Sequence, residues 1–576
     1  MTNLRTKLVV AAALVASIAV GGPIAVSVAA QRPLTDAAVV AAQPVPNAQF
    51  HPLSATSVSI GLDFYVPPRD PAALKAFIAS VSTPGSRSFH RYLAKGQFAA
   101  RFGATTQTIA SITKYLASHG LRSITTSHDR LFVRASGSIR AVDALLHTTI
   151  HEYAYKGKRV YSNVTSARLP KALAGRVAAV VGLSDVPQYK ASYVVHPQRP
   201  HATTTCSQMT QGTNATAGPF TISQMGANYK YGAFASQGDN GQGQTLAVFE
   251  LTDYLPADIR YYQSCIGGAH DTIAGIRVDG GGGVDLSAEV EADLDIEIPA
   301  TLAPKANIDV YEGPNSQAGV VDTYQRIATD DTAQVTTTSW GLCEVVNKPA
   351  DTAESGVFAE MAAQGQTVVS ASGDAGASAC LGYTGTTANP LAGAIGVEDP
   401  ASQPYVTGVG GTTIKDAATI GSNPASEVVW DTQDVEGAGG GVSSVWAEPT
   451  YQSGIPGATT AGRTVPDLSI DADPASGYMI YTLADGWIPV GGTSCGAPMV
   501  ATLFLLANEY NSTQLGFINP LLYSVAVSHP GVNFNDVTEG NNEVYDVPGY
   551  SRAAAGFDAA SGWGSPIASS FLGGDI

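Results

Sequence analysis

Thr245-Leu246-Ala247-Val248-Phe249-Glu250-Leu251 is an apolar run with a single acid near its end. Its apolar residues are consecutive rather than alternating, which predicts a strand buried on both faces. Such strands belong to parallel sheets covered by helices on either side. Working outward, similar runs recur at Ile308–Tyr311, Val335–Trp340 and Thr367–Ser372. Helical spacing separates them at Val320–Ala328 and Val357–Ala363. The second part of the chain therefore reads as an α/β unit, a mostly parallel sheet with helices on both faces. Ligands of such sheets bind at the carboxyl ends of the strands. Glu250, Ser339-Trp340-Gly341 and Asp374 all fall at such ends.

Toward the N-terminus the pattern changes. Val58, Ile60, Leu62, Phe64 and Val66 alternate, predicting a strand with one buried face. Leu74, Phe77, Ile78 and Val81 recur at helical spacing, as do Ile109, Ile112 and Leu116 before the stop at Gly120. Leu131-Phe132-Val133 predicts a strand, Ile139–Leu146 a helix, and Lys156-Gly157-Lys158 the turn of a hairpin. This order predicts a small α+β domain of ferredoxin-like type. It carries no constellation of catalytic residue types and reads as a binding or folding unit. Residues 31–50, rich in Ala, Pro and Gln, predict a disordered segment. Residues from about 186 to 210, rich in Pro, His, Thr and Gln, predict an exposed linker.

At the start, Arg5 and Lys7 precede the apolar run Leu8–Val20 and the small-residue stretch Ser27-Val28-Ala29-Ala30. Residues 1–30 therefore predict a secretory signal peptide and a secreted, extracellular protein. No later apolar stretch is long enough for a bilayer, so no membrane anchor is expected once the signal is removed. Residues 1–205 hold 22 basic and 7 acidic side chains, and residues 206–576 hold 9 and 41. Two such units attract at neutral pH. The acidic one would repel phosphates, which argues against nucleic acid as a partner.

Gly491-Gly492-Thr493-Ser494-Cys495-Gly496-Ala497-Pro498 stands directly before a helical pattern, Cys495–Tyr510. A hydroxyl there lies among unpaired backbone N–H groups that can steady an oxyanion. Pro498 is expected in the first turn, where its missing N–H is not needed. The bland alternative is that Thr493 or Ser494 only caps the helix. A nucleophilic serine needs a base, yet only His270 and His529 follow residue 205, neither in a His-Gly-Thr context. Glu291 and Asp295 are four apart and share a helix face. Two close carboxylates raise the pKa of one, giving a base suited to acid, where a histidine is already protonated. Glu289, Asp293 and Glu297 leave open a merely solvated acidic face. Asp374, in Ser372-Gly373-Asp374-Ala375-Gly376, is a turn former or, if kept protonated, an oxyanion donor.

All five cysteines lie in the second part. Export permits disulfides. Cys206–Cys265 and Cys343–Cys380 are the expected pairs, although spacing alone leaves connectivity undecided. Cys495 reads as a packed thiol, since no histidine neighbours it. Asn535-Asp536-Val537-Thr538 and Ala554-Ala555-Gly556-Phe557-Asp558 offer two carboxylates and Gly-flanked carbonyls, which suit a hard cation such as Ca²⁺.

In this order the motifs resemble the sedolisin family of serine-carboxyl peptidases, particularly its kumamolisin-like members. The family's Gly-Thr-Ser-x-x-x-Pro motif is Gly492 to Pro498, and its Glu-x-x-Leu-Asp pattern is Glu291 to Asp295. Asp374 occupies the Gly-Asp-x-Gly place. Residues 406–413, 439–443 and 464–474 are also similar to family sequence. The resemblance implies a subtilisin-like fold, with Ser494 as nucleophile, Glu291 as its base and acid, Asp295 as the partner that orients Glu291, and Asp374 as the oxyanion acid. Glu250 and Trp340 would be an outer hydrogen-bonding pair, and Ser339–Gly341 would leave room for an extended substrate. One structural Ca²⁺ would use the side chains of Asp536 and Asp558 and the carbonyls of Val537, Ala554 and Gly556. Ala554 stands where a glycine is usual, which a carbonyl ligand tolerates. Residues 51–186 resemble the propeptide, an intramolecular chaperone and inhibitor. The processing linker would be 187–205 and the peptidase domain 206–576. The implied activity is that of a monomeric, acid-active endopeptidase on proteins or peptides, held by its own propeptide until acid weakens their attraction. The alternatives are a catalytically inactive binding protein, a subtilisin using His270 or His529, and a glycosidase with a carboxylate pair.

Overall fold

Leu246 and Val248 turn to one face of the strand Thr245–Glu250 and Ala247 and Phe249 to the other, and all four are buried. In this computed structural model, residues 38–40, 51–52, 58–196, 206–210, 218–266, 272–285, 288–381, 395–415, 426–432, 436–545 and 549–572 are described. They all fall within one unit, Asp36–Ile576. The expected signal peptide lies outside the described residues.

The strand Thr245–Glu250 lies between Asn307–Glu312 and Val335–Thr338, parallel to both. Ile273–Arg277 extends the sheet on one side. Thr367–Ala371, Thr407–Ile414 and Leu468–Asp471 extend it on the other, all parallel, and Glu427–Val429 joins antiparallel. The helices Glu289–Leu302 and Thr493–Asn511 share an apolar core with one face. Gln317–Asp330 and Lys348–Gln364 share one with the other. The fold is therefore the expected subtilisin-like layout. One run departs from expectation: Val335–Trp340 breaks at Ser339, and Trp340–Cys343 leaves the sheet to pair antiparallel elsewhere. The break places Ser339 and Trp340 at the mouth of the sheet, where both side chains find carboxylate partners.

The N-terminal domain has an antiparallel sheet of Ser59–Tyr65, Arg122–Thr126, Phe132–Ser138 and Ala179–Val181, in the spatial order fourth, first, third, second. With the helices Pro71–Ser82, Thr106–Ser118 and Ile139–Leu146 this is the ferredoxin-like arrangement. Sequence patterning missed the strand Arg122–Thr126, which has no buried residue and so no apolar alternation to read. Leu62, Phe64, Leu116 and Val133 form the domain's own core. Tyr65, Phe132 and Val181 instead join the core around Gln317–Asp330 and Lys348–Gln364. Leu93 N–H donates to Ala363 O at 2.9 Å, and Gln325 Nε2 donates to Asp129 Oδ2 at 2.8 Å. Arg134 forms an ion pair with Asp322.

Two expectations need correction. Within the stretch 31–50, Ala38–Val40 pairs antiparallel with Ala167–Arg168 as a two-stranded sheet, held by backbone bonds that composition does not announce. In the stretch expected to be an exposed linker, Tyr189 and Ser192 are buried, and Lys190–Ala191 and Val194–Val195 are short strands. Polar composition misleads there because backbone pairing accepts almost any side chain. Residues 197–205 lie outside the described residues. Cys206–Cys265 and Cys343–Cys380 are the disulfides, and Cys495 is free and buried. Among the described residues no helix is long and apolar enough to cross a membrane.

Candidate active site

The serine helix starts earlier than its pattern predicts. Gly492 is its N-cap and Thr493 its first residue, so Pro498 lies in the second turn rather than the first. A proline there cannot bond the carbonyl four residues back. That carbonyl belongs to Ser494, and the Ser339 hydroxyl lies 3.4 Å from it. The Ser494 side chain is buried, and its Oγ donates to Glu291 Oε2 at 2.9 Å.

The acidic helix is not a solvated face: Glu289, Glu291, Asp293, Asp295 and Glu297 are all buried. Ser339 Oγ donates to Asp295 Oδ1 at 2.9 Å, and Trp340 Nε1 donates to Glu250 Oε2 at 2.9 Å. Asp295 and Glu250 meet as a carboxyl pair. Asp374 comes in from the loop after Thr367–Ala371. Its Oδ1 accepts from Thr493 N–H at 2.8 Å and Thr493 Oγ1 at 2.9 Å, while its Oδ2 is buried and accepts no hydrogen bond from the described residues. Gly373 N–H donates to Thr493 Oγ1 at 3.1 Å. Thr493 thus orients Asp374, a role whose only trace in the sequence is its place beside Ser494.

Burial pushes Glu291 well above the usual carboxylate range, and the charges of Asp295 and Glu250 push it further, against the bond from Ser494. Burial raises Asp374 in the same way, against the two bonds from Thr493. Burial also raises Glu250 and Asp295. A set like this retains protons in acid. One member can take a proton from a hydroxyl while another donates a hydrogen bond to an oxygen.

The cleft beside these groups is filled by the chain's own segment 188–196. Lys190 and Ala191 pair antiparallel with Gly341 and Trp340, and Val194 and Val195 with Gly491 and Val490. Between the two pairings, Ser192 N–H donates to Ser339 O at 3.1 Å, and Ser494 N–H donates to Ser192 O at 2.9 Å. Gly492 has φ +99°; a Cβ there would collide with the Ser192 carbonyl oxygen and stand 2.6 Å from Asp374 Oδ2.

A family model described as the pro-kumamolisin activation domain matches residues 47–186. Kumamolisin of Bacillus sp. (strain MN-32) is 32% identical over 497 residues, covering 83% of this chain and 84% of that protein. The chain belongs to the sedolisin family. Sedolisin of Pseudomonas sp. (strain 101) is 30% identical over 516 residues, covering 86% and 84% of the two chains. The solved structure of Pseudomonas sedolisin, a serine-carboxyl proteinase complexed with two molecules of pseudo-iodotyrostatin, superposes with a TM-score of 0.56 at 28% identity. That match covers 62% of this chain and 98% of the other. Membership makes the protein a peptidase with an N-terminal propeptide.

Three further groups bear on this sedolisin-family site. Of the two histidines that a subtilisin reading would need, His529 ends the helix Asn519–Ser528, and His270 lies outside the described residues. Sequence reasoning missed Glu398, whose carboxylate occupies the space that a Cβ at Gly341 or Gly373 would need. Burial raises it, against the Lys190 charge, to about 7. The residues expected around a cation are tied in two loops by backbone and hydroxyl donors. Ala554 N–H donates to Asp558 Oδ2 at 2.8 Å, Gly556 N–H donates to Asp536 Oδ2 at 2.9 Å, and Ser561 Oγ links Val537 O to Asp558.

Proposed function

We propose that this protein is a secreted, acid-active serine-carboxyl endopeptidase, made as a zymogen that matures by its own cleavage. The observation that carries the reading is the bond from Ser494 Oγ to Glu291 Oε2, with Asp374 Oδ2 buried and accepting no hydrogen bond from the described residues. Ser494 attacks the scissile carbonyl while Glu291 takes its proton. Asp295 orients Glu291 and shares its proton load with Glu250, which Trp340 holds. Protonated Asp374 and the Ser494 N–H bind the developing oxyanion. Glu291 then protonates the leaving amine, and water releases the acyl-enzyme.

The pH dependence follows from the two key acids. Glu291 must be ionised and Asp374 protonated. Asp374 loses its proton as pH rises through its elevated pKa, so activity falls toward neutral. Removing the segment 188–196 readmits water to the cleft, which brings Glu291 down toward the ordinary range and sets the acid limit. The opposed charges of propeptide and peptidase weaken in acid and favour release. One contact opposes this trend. Burial and the Asp129 charge raise Glu360, so the Glu360–Asp129 contact holds a proton and tightens in acid.

Ca²⁺ would be held by the Asp536 and Asp558 carboxylates and the carbonyls of Val537, Ala554 and Gly556. When bound it would tie the C-terminal loops together. A chelator would then lower the melting temperature, and added Ca²⁺ would restore it.

The deciding test is cleavage of a denatured protein from about pH 3 to pH 8 by the secreted wild type and by Ser494→Ala. Acid-limited cleavage that vanishes in the variant, with its precursor left whole, is the expected result. A maximum near neutral pH, or cleavage that survives Ser494→Ala, would overturn the reading.

A further inference from the structure

Tyr189 is the first residue of the cleft segment to be buried deeply. It is 6% exposed and belongs to the apolar core that includes Trp340 and Leu342. Its backbone is clamped by Asn315. Asn315 Oδ1 accepts from Gln188 N–H and Tyr189 N–H, both at 3.2 Å, and Asn315 Nδ2 donates to Tyr189 O at 2.9 Å. The phenol reaches two buried polar side chains. Asn347 Nδ2 donates to Tyr189 Oη at 2.9 Å, and Oη donates to Glu354 Oε1 at 3.4 Å. Burial and the charge of Glu354 keep the phenol protonated, well above its usual ionisation range. A phenylalanine would fill the same apolar space but leave Asn347 and Glu354 without the group between them. Buried polar groups left unpaired in this way are what let a site reject an analogue lacking one hydroxyl.

Three residues further on, the Ser192 carbonyl accepts the Ser494 N–H, and the antiparallel pairings on either side set this register. A one-residue slip would take Tyr189 out of its pocket and move another carbonyl to Ser494. Anchor and scissile bond are therefore linked. We propose that Ser192–Tyr193 is the bond cut in maturation, and that the Asn347–Glu354 pocket selects tyrosine four residues before the scissile bond. The selection applies to this chain and to its substrates. The inference rests on the peptidase reading above.

The chemistry balances with water as the only co-reactant. Ser494 Oγ bonds to the Ser192 carbonyl carbon and its proton passes to Glu291. The Ser192–Tyr193 C–N bond breaks and Glu291 returns that proton to the Tyr193 amine. Water then splits the ester, leaving a Ser192 carboxyl group and free Ser494.

The full precursor, sampled during activation in acid, should yield Ser192 as its first new C-terminus and Tyr193 as its first new N-terminus by mass spectrometry. The Tyr189→Phe precursor should mature about tenfold more slowly. The mature enzyme should cut Tyr-Lys-Ala-Ser-Tyr-Val about tenfold faster, in kcat/KM, than the peptide beginning with Phe. Asn347→Ala should bring that ratio toward one, whereas a folding defect would lower both rates and keep the ratio. A first cut at another bond, or equal rates on the two peptides, would overturn this inference alone, provided denatured protein is still cut in acid. No cleavage of any substrate at any pH would sink both this inference and the peptidase reading.

Discussion

The helix Glu289–Leu302 carries two rows of acids that look alike in sequence and meet different neighbours. Glu291 and Asp295 face hydroxyl donors, Ser494 and Ser339. Glu289 and Asp293 face Asp258 of the helix Pro256–Ile266, with ligand oxygens within 4.8 Å of one another, and Glu297 lies close by. Both oxygens of Asp258 and of Asp293 are buried and accept no hydrogen bond from the described residues. Glu297 accepts one, from Tyr481 N–H at 3.0 Å. The first row can therefore hold a carboxylate ready for proton transfer. The second has mostly other carboxyl groups for company and is at ease only when protonated. Burial and Asp258 together raise Glu289 to about 7.

The comparison can be broken most sharply at its two centres. Glu291→Ala should lower turnover by about 10⁴ or more, while Asp293→Asn should leave it within about tenfold of wild type. The opposite ranking, measured as kcat/KM on one peptide, would show that the wrong row was assigned to chemistry.

Asp374 gives the next largest effect. Asp374→Ala should cost about 10² to 10³ in kcat, the usual cost of removing one oxyanion donor. Asp374→Asn should lose less, because its amide can donate, and its activity should persist to higher pH than the wild type's. An unmoved alkaline limb in Asp374→Asn would mean that some other group sets that limit.

Trp340→Phe removes the indole N–H that donates to Glu250. About a tenfold fall in kcat is expected, with a displaced pH profile and little change in KM. A change confined to KM would make Trp340 a wall of the cleft rather than a positioning residue.

The smallest effect lies in stability. Carboxyl groups whose folded pKa is raised bind more protons in the native state than in the unfolded chain. Their contribution is intact below the unfolded pKa and is lost as pH rises through the folded value. The melting temperature should therefore drop between about pH 4.5 and pH 7, the window bounded by the ordinary carboxyl value and that of Glu289. Asp293→Asn should shrink that drop by a few degrees. An undiminished drop would place the sensitivity in other acids.

Much of the fold was open to reading because apolar runs mark buried strands wherever they occur. Thr245–Glu250, Asn307–Glu312 and Thr367–Ala371 each carry such a run. Arg122–Thr126 was hidden because an exposed edge strand needs no apolar side chains. The strands at 190–191 and 194–195 were hidden for a related reason, since the cleft holds them largely by backbone bonds. In the site, Ser494, Glu291 and Asp374 stand out because a special turn or spacing surrounds each. Glu398 does not, because the glycines that make room for it are 57 and 25 positions earlier in the chain.

By itself the sequence determined the local terms: which residues are acids and hydroxyls, and which share a helix face. Those follow from covalent geometry and helical repeat alone. Only the tertiary structure decided which acids receive a donor, which are forced to keep protons, and which peptide bond lies against Ser494. These depend on burial and on contacts between residues far apart in the chain, such as Glu291 and Ser494, 203 positions apart. No local pattern encodes the desolvation that such contacts impose.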